Sequence, residues 1–320
     1  MRALSLVGCV VISWCTASLA FAQSGDFPTK PIRMISPFAA GSGADSSARA
    51  LAEQMQRFLG QPVLVENKPG ASGAVAAIAV RQAAADGYTI MVGTNSPMSV
   101  NPIVIKNPGY DPLKDFKALH GIGRSQNLWY VANESSVRNM SDLVAQARTR
   151  GVNVGSYSAG YQLAMEWAAL SARTKFTYVP YKGQGQVFTD VIGRQLDAGV
   201  GDLGGALPLV QSGKMRAIAV SGDARHPALP QVPTLRELWP EYVNYSWTAF
   251  WVRTETPPDV HAKLVAATNR AMKTPEITRY FEAQGSEPMY TFGPTEMGRY
   301  QLEEFQRFKG IADVVGIKPE

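Results

Sequence analysis

The chain is poor in the side chains that most often mark catalysis or metal binding. Its 320 residues include two cysteines, Cys9 and Cys15, both within the first 22 positions, so the remainder has none. This excludes cysteine nucleophiles, thiolate metal sites and iron–sulfur clusters, and leaves folding to burial without disulfides. Of the three histidines, His226 falls in a proline-rich loop and His261 on a polar helix start, and both are expected to be solvated. His120 has no partner at H-x-H or H-x-x-x-H spacing, so no metal is expected. There is no G-x-S-x-G nucleophile elbow, and no Gly-Lys-Ser/Thr follows a glycine loop. A Ser-His-Asp group drawn from distant positions stays possible, but no residue pattern favours one. Without Arg2 the chain carries 30 basic and 26 acidic residues. The small excess is scattered, with no basic stripe interleaved with aromatics, so nucleic acid is not an expected partner.

Met1 and Arg2 precede an apolar run from Ala3 to Phe21, closed by Ala20-Phe21-Ala22 before Gln23. A positive start, a short apolar core and an A-x-A site describe a cleavable secretory signal over residues 1–22, with export to the periplasm. Ser5, Gly8, Ser13, Thr16 and Ser18 make the run a poor membrane anchor. "LVGC", ending at Cys9, is shaped like a lipidation site, but too little apolar sequence precedes it. The mature protein is expected to begin near Gln23, free of lipid and monomeric.

Beyond the leader, strand-like and helical patterns alternate, the mark of α/β layers. "PIRMISPF" (31–38), "PVLVENK" (62–68) and "YTIMVGT" (88–94) read as strands. Between them, 44–59 and 73–85 read as helices. The pattern recurs with strands at 127–133, 152–158, 177–181, 196–202 and 216–222 and helices at 141–150, 161–174 and 185–195. Residues 221–242 read as an irregular loop with a short helix, followed by a strand at 244–253 and two C-terminal helices, 257–273 and 294–315. Two doubly wound lobes result. No low-complexity linker divides them, so the chain should cross between lobes more than once. The expected bounds are 23–124 with 249–320 for the first lobe and 125–248 for the second.

Glycine-rich and small-residue turns stand at several strand ends. "AGSGAD", Ala40 to Asp45, opens a helix with Gly41, Ser42, Gly43 and Ala44, and Asp45 has the sequence position of an N-cap. It lacks the third glycine of a dinucleotide fingerprint. The unpaired N–H groups and partial positive charge of a helix start suit a carboxylate; glycines needed for turn geometry alone would look the same. Similar junctions follow at "GTNSPMS" (93–99), "GSYSAGYQ" (155–162), "YKGQGQVFTD" (181–190) and "GDLGGALP" (201–208), the last with Asp202. Together they suit a cleft that surrounds a small polar solute with backbone donors. Tyr157 and Tyr161, beside the glycine loops, are the aromatics best placed to touch it.

Many short blocks in order, among them "PIRMISPFAAGSGAD", "LGQPVLVENKPGASG", "ADGYTIMVGT", "VPYKG", "SGKMRAIAV" and "HPALPQVPTLRE", resemble the extracytoplasmic solute receptors of tripartite tricarboxylate transporters, the Bug family. The resemblance covers the whole mature chain. It implies a type II periplasmic-binding-protein-like fold: two α/β lobes on a hinge that close on a small organic acid, dicarboxylic or aromatic, and deliver it to membrane transporter subunits. No cofactor and no catalysis are implied. The implied ligand-binding residues are Phe38, Gly41, Ser42, Gly43, Ala44, Asp45, Thr94 and Asn95 from the first lobe. The second lobe would add Ser158, Ala159, Gly160, Tyr161 and Asp202. The segment after Gly160 is several residues shorter than is usual in the family, and Ala44 stands where threonine is common. A receptor for a membrane signalling system and a small-molecule hydrolase are the alternatives.

Overall fold

The computed structural model describes residues 27–319. The expected leader with Cys9 and Cys15, and the cleavage point near Gln23, lie outside them. The first lobe begins with β1 (Ile32–Ser36), α1 (Gly43–Leu59), β2 (Val63–Asn67), α2 (Ala74–Gln82), β3 (Thr89–Thr94) and the short α3 (Asn101–Val104). A long strand, β4 (Phe116–Ala132), carries the chain into the second lobe. There follow α4 (Met140–Arg150), β5 (Asn153–Ser156), α5 (Ala159–Ser171), β6 (Thr177–Pro180), α6 (Gln184–Ile192), β7 (Ala198–Asp202), α7 (Leu203–Gln211) and β8 (Met215–Val220). The return strand β9 (Tyr245–Arg253) leads to α8 (Pro258–Met272), α9 (Pro275–Gln284), β10 (Glu287–Pro288) and α10 (Pro294–Val315).

The strands order as β2-β1-β3-β9-β4 in the first lobe and β6-β5-β7-β4-β8 in the second. Each lobe is a parallel sheet closed by an antiparallel strand that arrives from the other lobe. β4 pairs with β9 from Phe116 to Gln126, then with β7 and β8 from Asn127 to Ala132. The central parallel strands are buried on both faces, as covering helices require, whereas the edge strands β2 and β6 are half-buried or exposed. β3 is buried along its whole length, and Ile32, Met34 and Ile35 of β1 are 0–1% exposed. On α1 the buried stripe Ala48, Leu51, Ala52 and Met55 has helical spacing and faces the sheet, and the helix ends at Gly60 in the left-handed region.

Besides the short α3 and β10, which the sequence reading lacks, three longer elements depart from it. β4 begins at Phe116, eleven residues before the expected start. Gly121 and Gly123 break its pattern, and each leaves room for a neighbour. A Cβ at Gly121 would lie 2.7 Å from Phe292, and one at Gly123 would lie 2.4 Å from Phe281. "LGGALP", read as loop, is the first part of α7; Gly204, Gly205 and Pro208 hide it, and burial of Leu203, Ala206 and Leu207 holds it. α9 has no counterpart in the sequence reading, although Thr274, Pro275 and Gly285 punctuate it as helix ends do. The solvated reading of two histidines is corrected. His226 is 5% exposed and its Nε2 lies 2.6 Å from the Gly285 carbonyl, while half-buried His261 meets the Ala118 carbonyl at 2.8 Å. A polar side chain among packed elements needs such a partner.

Candidate functional site

The strand ends of both lobes face a cavity of about 60 Å³, several times what a single water needs. Its wall includes Phe38, Gly43, Ala44, Thr94, Asn95, Ser158, Tyr161 and Asp202 from the expected set. Gly41, Ser42, Asp45, Ala159 and Gly160 are not part of that wall. Gly204 and Gly205, from the GDLGGALP junction, also line it, and two elements missed in the sequence complete it: Ile122 to Ser125 of β4, and Tyr280, Phe281 and Gln284 of α9. Only the glycines of β4 and the cap residues of α9 signalled these in advance.

At α1 the assignment of the cap changes. Ser42 is the N-cap and accepts from the Asp45 N–H at 3.3 Å, whereas Asp45 sits three residues into the helix. Its carboxylate turns back on the loop, accepting from Gly41 N–H at 2.9 Å, Asn67 Nδ2 at 2.8 Å and Arg49 Nε at 3.1 Å. Burial raises this carboxyl's pKa, but the Arg49, Gly41 and Asn67 bonds outweigh it and hold the group below its ordinary range. Gly41 has φ +82° and needs glycine for its conformation. Gly43 does not; it is small because a Cβ there would fall 2.7 Å from Asp202 Oδ2.

The two lobes touch through the helix starts that the sequence singled out. Gly43 N–H, on α1, donates to Asp202 Oδ2 at 3.1 Å. On α5, Ala159 N–H donates to Ser72 Oγ at 3.0 Å and Gly160 N–H to Ser96 Oγ at 2.9 Å. Ala39 N–H meets the Lys182 carbonyl at 3.4 Å. Glycine makes this approach possible: a Cβ at Gly160 would lie 2.7 Å from Asn95 Nδ2, and one at Gly183 would lie 2.7 Å from Ala39 Cβ.

Asp202 ends β7 at the N-cap position of α7, yet its side chain caps nothing there and points into the cleft. Tyr157 and Tyr161 both donate to it, and Ser246 Oγ donates at 3.3 Å. Burial, and then the charge of Asp202, pushes both phenols far above their ordinary pKa range, so they stay protonated donors. Tyr157 also meets Phe38 edge to face, with centroids 5.1 Å apart. By contrast, Thr94 Oγ1 is buried and has no hydrogen-bond partner among the described residues. A buried hydroxyl left open on a cavity wall is a group available to a ligand.

Among the described residues no three His, Cys, Asp or Glu side chains gather as a metal site, and no helix is long and apolar enough to cross a membrane.

Residues 47–317 match the model of the tripartite tricarboxylate transporter family receptor. The chain is 30% identical to the protein BugT of Bordetella pertussis, over 99% of this chain and 98% of BugT. Its fold superposes on that of the periplasmic binding protein BugD with a TM-score of 0.88 and 26% identity, over 92% of this chain and all of BugD. The R. palustris protein Rpa4515, solved with adipate, gives 0.87 and 30% over 92% of this chain and all of its own. With two lobes built from one strand plan, glycine-backed helix starts meeting across the cleft and a match over most of its length, the chain belongs to the family of tripartite tricarboxylate transporter receptors.

Proposed function

We propose that the protein is a periplasmic receptor that holds a small organic carboxylate between its lobes and hands it to a membrane transporter of the tripartite tricarboxylate type. The observation that carries this reading is that the starts of α1 and α5 each donate to the other lobe, to Asp202 and to Ser96, beside a cavity where Thr94 Oγ1 lacks a partner. Family membership supports the transporter as partner. The adipate bound by the relative Rpa4515 supports an organic acid as ligand class. Carriage without chemical change fits the site, whose wall offers hydroxyls, amides and aromatic faces and holds no histidine.

Each lobe supplies half the grip, so ligand capture requires the lobes to approach. β4 near Ser125 and β9 near Ser246 are the strands that run between them, and we assign the hinge there. A ligand that touches both lobes favours the approached arrangement by the contacts made only in it. Micromolar affinity corresponds to about −8 kcal/mol, within reach of a few charge-assisted hydrogen bonds and the burial of a small solute.

The test is a thermal-shift screen of mono-, di- and tricarboxylates, aromatic acids and amino acids, followed by calorimetry and X-ray scattering with the best acid. A stabilising carboxylate, recovered unchanged by mass spectrometry and reducing the radius of gyration, is the expected result. Stabilisation by no carboxylate, or turnover of a bound ester or amide, overturns the reading.

A further inference from the structure

Tyr157, Tyr161 and Asp202 form a second-lobe unit on the cleft wall whose chemistry differs from that of Thr94 and Asn95 on the first lobe. Asp202 Oδ2 accepts from Tyr157 and from Gly43 N–H at 3.1 Å, and Oδ1 accepts from Tyr161 and from Ser246 at 3.3 Å. An ionised carboxylate offers about four lone-pair sites. All are taken here by neutral donors, so the hydrogen-bonding capacity is filled while no cationic side chain pairs with the negative charge among the described residues. The other charged side chain on the wall is Arg124, whose Nε and Nη2 hold Glu287 at 2.7 and 2.6 Å.

Tyr157 and Tyr161 therefore have no hydroxyl proton left for a ligand carboxylate, and the Asp202 charge repels a second anion. The two tyrosines do offer aromatic faces. A phenol that donates to a charged acceptor is polarised toward it, which makes its ring a better seat for a cation. On the first-lobe wall, at the end of β3, Thr94 Oγ1 has no partner and Asn95, 6% exposed, has no side-chain hydrogen bond among the described residues. Donors are open there.

We propose that Asp202, held by Tyr157 and Tyr161, selects a ligand with one carboxylate, seated toward Thr94 and Asn95, and a cationic amino group at its other end, and that it rejects dicarboxylates. Asp202 is a specificity-determining residue in this assignment, which rests on the carboxylate-receptor reading and narrows it.

The test compares matched pairs in which an ammonium replaces one carboxylate: 4-aminobutyrate with succinate, 6-aminohexanoate with adipate, and 4-(aminomethyl)benzoate with terephthalate. Calorimetry on the wild-type protein is expected to favour the amino member of the pair that binds best by on the order of tenfold or more. Asp202→Asn removes the charge at nearly constant size and should bring that ratio to about one, with the diacid gaining affinity. Tyr161→Phe keeps the charge and frees an acceptor site on Asp202 Oδ1 for the ligand ammonium, so the preference should rise; if the Asp202 variant does not fold, a preference that falls in folded Tyr161→Phe overturns the assignment. Equal or tighter binding of the diacid in wild type, or an unchanged ratio in folded Asp202→Asn, overturns the assignment. If no acid of either kind binds the folded wild-type protein, the carboxylate-receptor reading falls and the assignment with it.

Discussion

Replacing Gly160 by alanine separates the approach of the lobes from the stability of each. Gly160 lies in the first turn of α5 with ordinary helical backbone, where alanine is favoured over glycine by about 1 kcal/mol or less. Its new Cβ would sit 2.7 Å from Asn95 Nδ2 and 3.0 Å from Ser96 Oγ, against ordinary contact from 3.4 Å, so the facing chains must part by about 0.7 Å. The bonds from Gly160 to Ser96 at 2.9 Å and from Ala159 to Ser72 at 3.0 Å then exceed hydrogen-bond range. Two such bonds are worth roughly 1–3 kcal/mol together, so ligand affinity should fall by roughly 5- to 150-fold. The alternative adjustment, rotation of Asn95, moves a group on the cavity wall and also weakens binding. Calorimetry with the best acid from the screen gives the affinity, and thermal melting gives the stability, expected to be unchanged or slightly raised. Gly185→Ala is the control, since that glycine lies in α6 with nothing within 4 Å of its would-be Cβ. Wild-type affinity in folded Gly160→Ala would refute the idea that lobe contact at α5 is part of binding.

Gly43→Val should abolish ligand binding while circular dichroism stays native, because its Cβ meets Asp202 at 2.7 Å and its φ is not left-handed. A variant that binds normally removes this helix start from the site. Asp45→Asn should destabilise the protein at neutral pH by about 1–3 kcal/mol through loss of charge-assisted bonds. The native carboxyl lies below its ordinary value of 3.8, so its contribution is complete above about pH 4 and is lost as pH falls further. The gap between variant and wild-type melting temperatures should therefore close below about pH 4, and a constant gap counts against the assignment. Burial lowers the pKa of His120 from 6.5, outweighing its bond to the Gly121 carbonyl. The unfolded chain thus takes up a proton that the native state resists, and stability should fall as pH drops below about 6.5. His120→Gln should flatten that slope in melts between about pH 7.5 and 5, and an undiminished slope would assign it elsewhere.

The alternation of apolar runs and helical stripes determined the α/β class, because sheet and helix burial impose their own periods on the sequence. Glycine-marked turns likewise nominated strand ends, and four of the five junctions contribute to the cavity wall while the one at 181–190 does not. Local pattern did not reveal that β4 is one long strand serving both lobes, since Gly121 and Gly123 interrupt its period for the sake of Phe292 and Phe281, about 170 and 160 residues away. It misplaced α7, whose Gly204, Gly205 and Pro208 oppose a helix until tertiary burial outweighs their propensity. The sequence could nominate Asp45 and Asp202 alike as acids in loops near a ligand. Only folding separates them: Asn67 and Arg49 turn Asp45 behind its loop, while Tyr157, Tyr161, Ser246 and Gly43 hold Asp202 in the cleft. Gly43 and Asp202 are 159 residues apart along the chain. Residue type and spacing report on local backbone, whereas the sign and placement of charge in a cleft depend on which distant donors converge there.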